Sequence, residues 1–309
     1  MSEYKGYKLL QEKFISEING KVSFYQHIKT NAEILSIEND DENKVFGVTF
    51  RTPPPDSSGL PHIMEHSVLC GSRKYPVKEP FVELMKGSLN TFLNAFTYPD
   101  KTCYPVASTN LKDFYNLVDV YLDAVFYPIL SPYTLMQEGW HYELTDPSQE
   151  MIYKGVVFNE MKGAFSSPDD ILGDESQMAL LPDTPYGLHS GGDPEAITDL
   201  TYDQFKNYHE TFYHPSNARI FFYGDDDPAQ RFRILDEYLN DFEMKSVASA
   251  LPLQSKFSQP TKKIIPYDSG ESGEAAKSYI LLNWLLPEGN DVERNIALFV
   301  LGYVLLANP

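Results

Sequence analysis

His62-Ile63-Met64-Glu65-His66 sets two imidazoles four residues apart with a carboxylate between them. On an α-helix, residues four apart lie about 5–6 Å from each other on one face, so both rings can turn a nitrogen toward one point. Glu65, three residues from His62, edges that face without having to be a ligand. A catalytic zinc ion takes three protein ligands and keeps a position for water, whose proton a nearby carboxylate can accept. The H-x-x-E-H order is an established zinc-peptidase pattern. The pentapeptide points to a metal centre with one ligand still to be found. Two histidines merely hydrogen-bonded on a soluble helix are the plainer alternative.

Outward from this segment, Pro53-Pro54-Pro55 stops a strand, and Gly59 precedes a helix expected to run to about Gly71, a C-cap glycine. Leu60, Ile63, Met64 and Leu69 are its buried face. Alternation predicts strands over 22–27, 32–37 and 45–50, and the polar stretch 38–43 suits a hairpin between the last two. Downstream come a helix over 80–86, a strand pair over 89–97 and 102–106, and a helix over 110–126 with an apolar stripe and Pro128 at its end. Short strands are expected over 140–144 and 151–153, and helices over 155–165 and 171–181. Thr201 with Gln204 opens a helix to about Phe212, and 218–223 reads as an apolar strand. Gly224-Asp225-Asp226-Asp227-Pro228 is a turn and helix cap before it is a calcium loop. Strands and helices come in runs, which predicts an α+β fold rather than a doubly wound sheet.

The 309 residues exceed one typical domain. Hydrophobic residues at 42% and charged residues at 22% describe an ordinary folded protein. With 25 Lys and Arg against 44 Asp and Glu, the formal charge of −19 repels phosphate backbones, so nucleic acid is not an expected partner; the charge would favour cationic ligands, but solubility alone is the usual cause of such a balance. Cys70 and Cys103 show no disulfide-like spacing, which fits a reducing compartment. No apolar signal core or Arg-rich transit segment opens the sequence, and the apolar stretch 296–307, broken by Gly302, is too short for a bilayer. These features predict a cytoplasmic protein with no membrane partner. Composition shifts near Met244. The expected organisation is a domain over 1–244, a linker over 245–262, and over 263–309 the incomplete start of a second domain, with a strand over 278–286 and a helix over 292–306.

The third ligand should be an acidic residue on another element. Glu160 is the best candidate, because Val156, Val157, Phe158 and Met161 make its helix apolar and a buried carboxylate needs a partner that a metal can provide. A carboxylate paired with Lys or Arg, or reaching solvent, is the alternative.

Four blocks carry a resemblance: residues 59–72, 88–100, 155–164 and 213–219, the second reading Ser88-Leu89-Asn90-Thr91-Phe92-Leu93-Asn94-Ala95-Phe96-Thr97-Tyr98-Pro99-Asp100. Together they make the chain similar to the inverted-zincin peptidases of the pitrilysin and insulinase type, nearest the presequence protease and falcilysin branch. The resemblance implies that His62, His66 and Glu160 bind Zn²⁺ and that Glu65 is the general base. It also implies a mitochondrial-processing-peptidase-like domain, a mostly antiparallel sheet packed with helices, followed here by the start of a second such domain. Asn94, Ala95 and Phe96 fall where the family pairs a strand with substrate backbone. Leu69, Phe81 and Val82 fall where it lines an apolar pocket beside the scissile bond, with ordinary core packing the equal alternative for each.

Family members also carry an arginine and a tyrosine in a C-terminal half that reaches across to the substrate. The chain therefore looks like the N-terminal part of a zinc endopeptidase for short unfolded peptides, inactive or weakly active without that half as partner. A non-catalytic scaffold or partner subunit of the same fold is the rival. A serine hydrolase is not favoured, since no G-x-S-x-G elbow is found. Gly191-Gly192-Asp193-Pro194 reads as a turn before a helix, not a phosphate loop.

Overall fold

A computed structural model describes residues 4–78, 80–267 and 278–307. Its centre is an eight-stranded sheet built from β1 (Tyr7–Ile15), β2 (Gly20–His27), β3 (Glu33–Glu38), β4 (Lys44–Arg51), β5 (Asn90–Leu93), β6 (Phe96–Thr97), β7 (Lys101–Ser108) and β10 (Ala218–Gly224). The order is β1-β2-β3-β10-β4-β7-β5, with β6 also paired to β7. Only the β3–β10 pairing is parallel among the described strands, so the fold is the expected mostly antiparallel α+β arrangement.

Alternation decides which face is covered. Phe46, Val48 and Phe50 of β4, Tyr104 and Val106 of β7, and Ile220 and Phe222 of β10 are all buried. Against them lies α3 (Leu111–Phe126), whose Phe114, Leu117, Val118, Tyr121, Leu122 and Val125 form the predicted stripe. Asn110 caps α3 by accepting from the Asp113 amide. The same core takes in α1 (Leu60–Val68), α8 (Tyr202–Phe212), capped by the Thr201/Gln204 box, and α9 (Pro228–Leu239). Smaller helices are α2 (Pro80–Gly87), α4 (Pro132–Glu138), α5 (Val156–Ala164), α6 (Pro168–Leu180) and α7 (Pro194–Ile197). A two-stranded ribbon of β8 (His141–Glu143) and β9 (Ile152–Lys154) separates α4 from α5.

Three expectations are corrected. The hairpin between β3 and β4 does not form: β10 inserts between them, parallel to β3 and antiparallel to β4. An apolar strand more than a hundred residues away satisfies both inner edges at once, which local turn chemistry cannot foretell. The helix α1 ends at Val68, three residues short of Gly71. Residues 278–286 are not a strand, and Ile280, Leu282 and Trp284 stand exposed with no sheet edge beside them among the described residues. The first strand, β1, was not anticipated.

Between α9 and α10 (Val292–Leu306) the described residues hold no helix or strand, and no residue of α10 is buried. No helix among the described residues is long and apolar enough to cross a membrane.

Pro105 shapes the open edge of the sheet. Its carbonyl accepts from the Asn94 amide (3.3 Å), so its nitrogen faces the same neighbour, as both groups of one residue do in an antiparallel pair. Having no N–H, Pro105 cannot complete the ladder there. The neighbouring strand accordingly breaks at Asn94-Ala95, with β5 on one side and β6 on the other.

Candidate metal centre

The helix α1 carries His62 and His66 on one face, and Ile63, Met64 and Val68 anchor the opposite face in the core. Its start is fixed by a close contact. Gly59 sits at φ +69°, and a Cβ there would lie 2.7 Å from the Gly191 carbonyl oxygen and the Gly192 Cα. The Asp193 amide donates to Ser57 O (2.8 Å), which holds the two loops together. The loop before α7 thereby presents Gly191 O to the His62 ring, with Nδ1 at 3.0 Å. The turn reading of Gly191-Gly192-Asp193-Pro194 holds, but its contact with His62 had no signal in the sequence.

The other histidine is held by a side chain that sequence reasoning missed. Glu138, at the end of α4, is buried and brings Oε2 to 3.3 Å from His66 Nδ1. Its Oε1 accepts from Cys70 Sγ (3.3 Å) and Gln137 Nε2 (2.8 Å). The available signal was local: the Ser131/Thr134 capping box, with Pro132 at the first helical position, marks the start of α4, whose last residue is Glu138. With both Nδ1 atoms engaged, both Nε2 atoms are left for the third group. Burial works against a charged His66 ring, yet the hydrogen bond with Glu138 and the carboxylates of Glu65, Glu138 and Glu160 hold its pKa above the ordinary value. Burial likewise opposes ionised Glu138, but its bonds to His66, Cys70 and Gln137 prevail and lower its pKa.

Glu160 Oε2 lies 3.7 Å from His62 Nε2 and 3.8 Å from His66 Nε2. The donor atoms of His62, His66 and Glu160 all fall within 4.8 Å of one another. Donors at about 2.0–2.2 Å from a tetrahedral zinc ion stand roughly 3.3–3.6 Å apart, so small side-chain shifts would close this set on one ion. Two imidazoles and a carboxylate are also the donor types zinc takes. The environment of Glu160 is corrected: its side chain is 54% exposed, because α5 buries only Val157 and Phe158 and leaves Glu160 at its exposed face. The helix α5 is set against α4 at Gly155, where a Cβ would meet Gly139 O at 1.9 Å.

Glu65 lies beside this cluster without joining it. Thr97 Oγ1 of β6 donates to Glu65 Oε2 at 2.5 Å. Burial first, and Glu65's charge after it, push the hydroxyls of Tyr104, Tyr121 and Tyr213 upward in pKa. A cavity of about 260 Å³ opens next to these groups, lined by Thr97, Met161, Asp174, Met178, His189 and Gly191 among others. Leu69, Phe81 and Val82 do not line it; Leu69 and Phe81 pack on the core and Val82 is half-buried. Of the strand segment expected over Asn94, Ala95 and Phe96, only Phe96 is in a strand. Asn94 and Ala95 form the break opposite Pro105.

Residues 50–165 match the family model described as insulinase (peptidase family M16), and residues 199–308 match the peptidase M16 inactive domain. The chain is 58% identical to presequence protease 1, chloroplastic/mitochondrial, of Arabidopsis thaliana, over all of this chain and 29% of that one. It is 50% identical to protein HypA of Clostridium perfringens, over 98% of this chain and 31% of that one. With the mitochondrial presequence protease of Mus musculus it shares 43% identity over 92% of this chain and 28% of that one. The chain thus spans less than a third of the length of these relatives. In solved structures the fold is that of pitrilysin, with TM-score 0.63 and 17% identity over 80% of this chain and 26% of that one. A protease from Helicobacter pylori superposes with TM-score 0.58 at 16% identity, over 81% of this chain and 53% of that one.

Proposed function

Because the chain belongs to the insulinase family of peptidases (peptidase family M16), we propose that it forms the zinc-binding part of an endopeptidase that hydrolyses short unfolded peptides. The observation that carries the reading is the convergence of His62, His66 and Glu160 beside the separate carboxylate of Glu65. In this reading His62, His66 and Glu160 hold Zn²⁺. Bound there, zinc would supply a Lewis acid that acidifies water and polarises a peptide carbonyl. The protein does the rest. Gly191 O and Glu138 fix the tautomers of the two rings. Glu65 takes the proton of the attacking water and passes it to the leaving amine as the C–N bond breaks. The open edge of β5 and β6 binds peptide backbone by strand addition, which is independent of side chains. The cavity beside Thr97 receives a substrate side chain.

The organisation proposed with this function is a catalytic domain over 1–244, a linker over 245–262 and the start of a second domain over 263–309. The absence of helix or strand between α9 and α10 among the described residues supports it, as does the lack of any buried residue in α10. Efficient cleavage is proposed to need a C-terminal half, in keeping with the short span of the relatives that this chain covers. Cys70 and Cys103, which form no disulfide among the described residues, suit a reducing, cytoplasmic setting.

Elemental analysis of the purified chain and of His66→Ala tests the reading. The expected result is about one zinc per chain, lost in the variant. No zinc in the wild type after reconstitution would overturn it and favour the non-catalytic scaffold.

A further inference from the structure

We propose that Thr97 is the positioning residue for the general base, and that it ties the base's orientation to the strand on which substrate pairs. The inference rests on the peptidase reading and adds to it a residue whose hydroxyl sets where Glu65 points.

The geometry is specific. Among the described residues Glu65 has no ion pair, and the Thr97 hydroxyl is its one side-chain hydrogen-bond donor. The tyrosine hydroxyls that feel its charge are engaged elsewhere. Tyr104 and Tyr213 are bonded to each other (2.8 Å), and Tyr121 donates to Asn94 O (3.2 Å). Thr97 takes Oε2 and leaves Oε1 without a protein donor among the described residues, so one oxygen is anchored and the other is free to accept a proton. A carboxylate on a flexible two-carbon stem would otherwise sample several rotamers, and misplacement of a base by about 1 Å can cost 100-fold in rate.

Thr97 is itself held rigidly. It pairs with Thr102 in the ladder between β6 and β7, and Tyr98 N donates to Lys101 O (2.8 Å) to close the turn that follows. Its β-branched side chain has few χ1 choices. Phe96 and Tyr98, its neighbours, point outward and are exposed, so Thr97 alone of the three faces α1. The other edge of β6 is unpaired among the described residues. A peptide added to that edge would steady β6, and with it the hydroxyl that aims Glu65.

Thr97→Val keeps the shape and removes the donor; Thr97→Ser keeps the donor. In the full-length peptidase carrying this chain, Thr97→Val should lower kcat about 10- to 100-fold, with KM within about twofold of wild type. Thr97→Ser should recover most of that loss. In the cobalt-loaded chain, which needs no turnover, the visible absorption band should move in Thr97→Val in the same sense as in Glu65→Gln and stay in place in Thr97→Ser. A chain that binds no cobalt or zinc would instead defeat the peptidase reading itself. If metal binds and the Thr97→Val band and kcat match wild type, or if Thr97→Ser is as impaired as Thr97→Val, the positioning role is overturned.

Discussion

Glu65 and the two histidines differ in what their loss should do, although they share one turn of helix. Glu65→Gln keeps the volume and leaves His62, His66 and Glu160 in place. Zinc content should therefore stay at wild-type level while peptide cleavage falls by about 10²- to 10⁴-fold; parallel elemental and kinetic assays check both. His209 gives a second prediction at this scale. It is buried against α3 with Nε2 2.8 Å from Val125 O, and burial, despite that bond and nearby Glu210, lowers its pKa to about 4. The unfolded chain takes up this proton near pH 6.5, whereas the folded chain does so only near 4. Stability from this residue is thus present above about pH 6.5 and is lost as pH falls toward 4. His209→Gln should flatten the melting temperature across that window. The turn that carries His62 and His66 was legible in the sequence because helical spacing alone brings the two rings together. Glu138 and Gly191 O were not, since each reaches its histidine from an element more than seventy residues away.

Elements defined by their own periodicity, α1, α3, α8 and β4, came out close to expectation; the pairing of distant strands did not. The β10 insertion is held by a buried ion pair at its end. Arg231, fully buried on α9, grips Asp226 through Nε (2.9 Å) and Nη2 (2.5 Å). It also donates to Ser36 Oγ, Ile37 O of β3 and Gly224 O of β10. The acidic triplet after β10 is thus partly interior, which its sequence did not reveal. Arg231→Ala leaves a buried carboxylate unpaired and should destabilise the fold by about 3–5 kcal/mol, measured by denaturant titration. At the start of α1, Gly59→Ala forces an unfavourable φ and a clash with Gly191 O. A cost of roughly 1–3 kcal/mol is expected, together with weaker zinc binding by competition titration, because the loop that holds His62 must move.

Across the whole molecule, zinc would join α1 to α5 through a loop of almost a hundred residues. Removal of the metal should therefore lower the melting temperature, and added zinc should raise it in a concentration-dependent way that His66→Ala abolishes; scanning calorimetry with and without chelator reads this directly. The α+β class was legible because strand and helix patterns fall in separate runs. The fate of 278–286 was not, because a strand needs an edge to join as well as a suitable pattern. The break opposite Pro105 has a consequence for solubility. An open sheet edge invites like edges to stack, and long uninterrupted ones seed aggregation. Here the missing N–H of Pro105 divides the edge into runs of four and two residues. Runs this short offer another copy of the protein little edge to template on, so removing the break with Pro105→Ala should favour self-association.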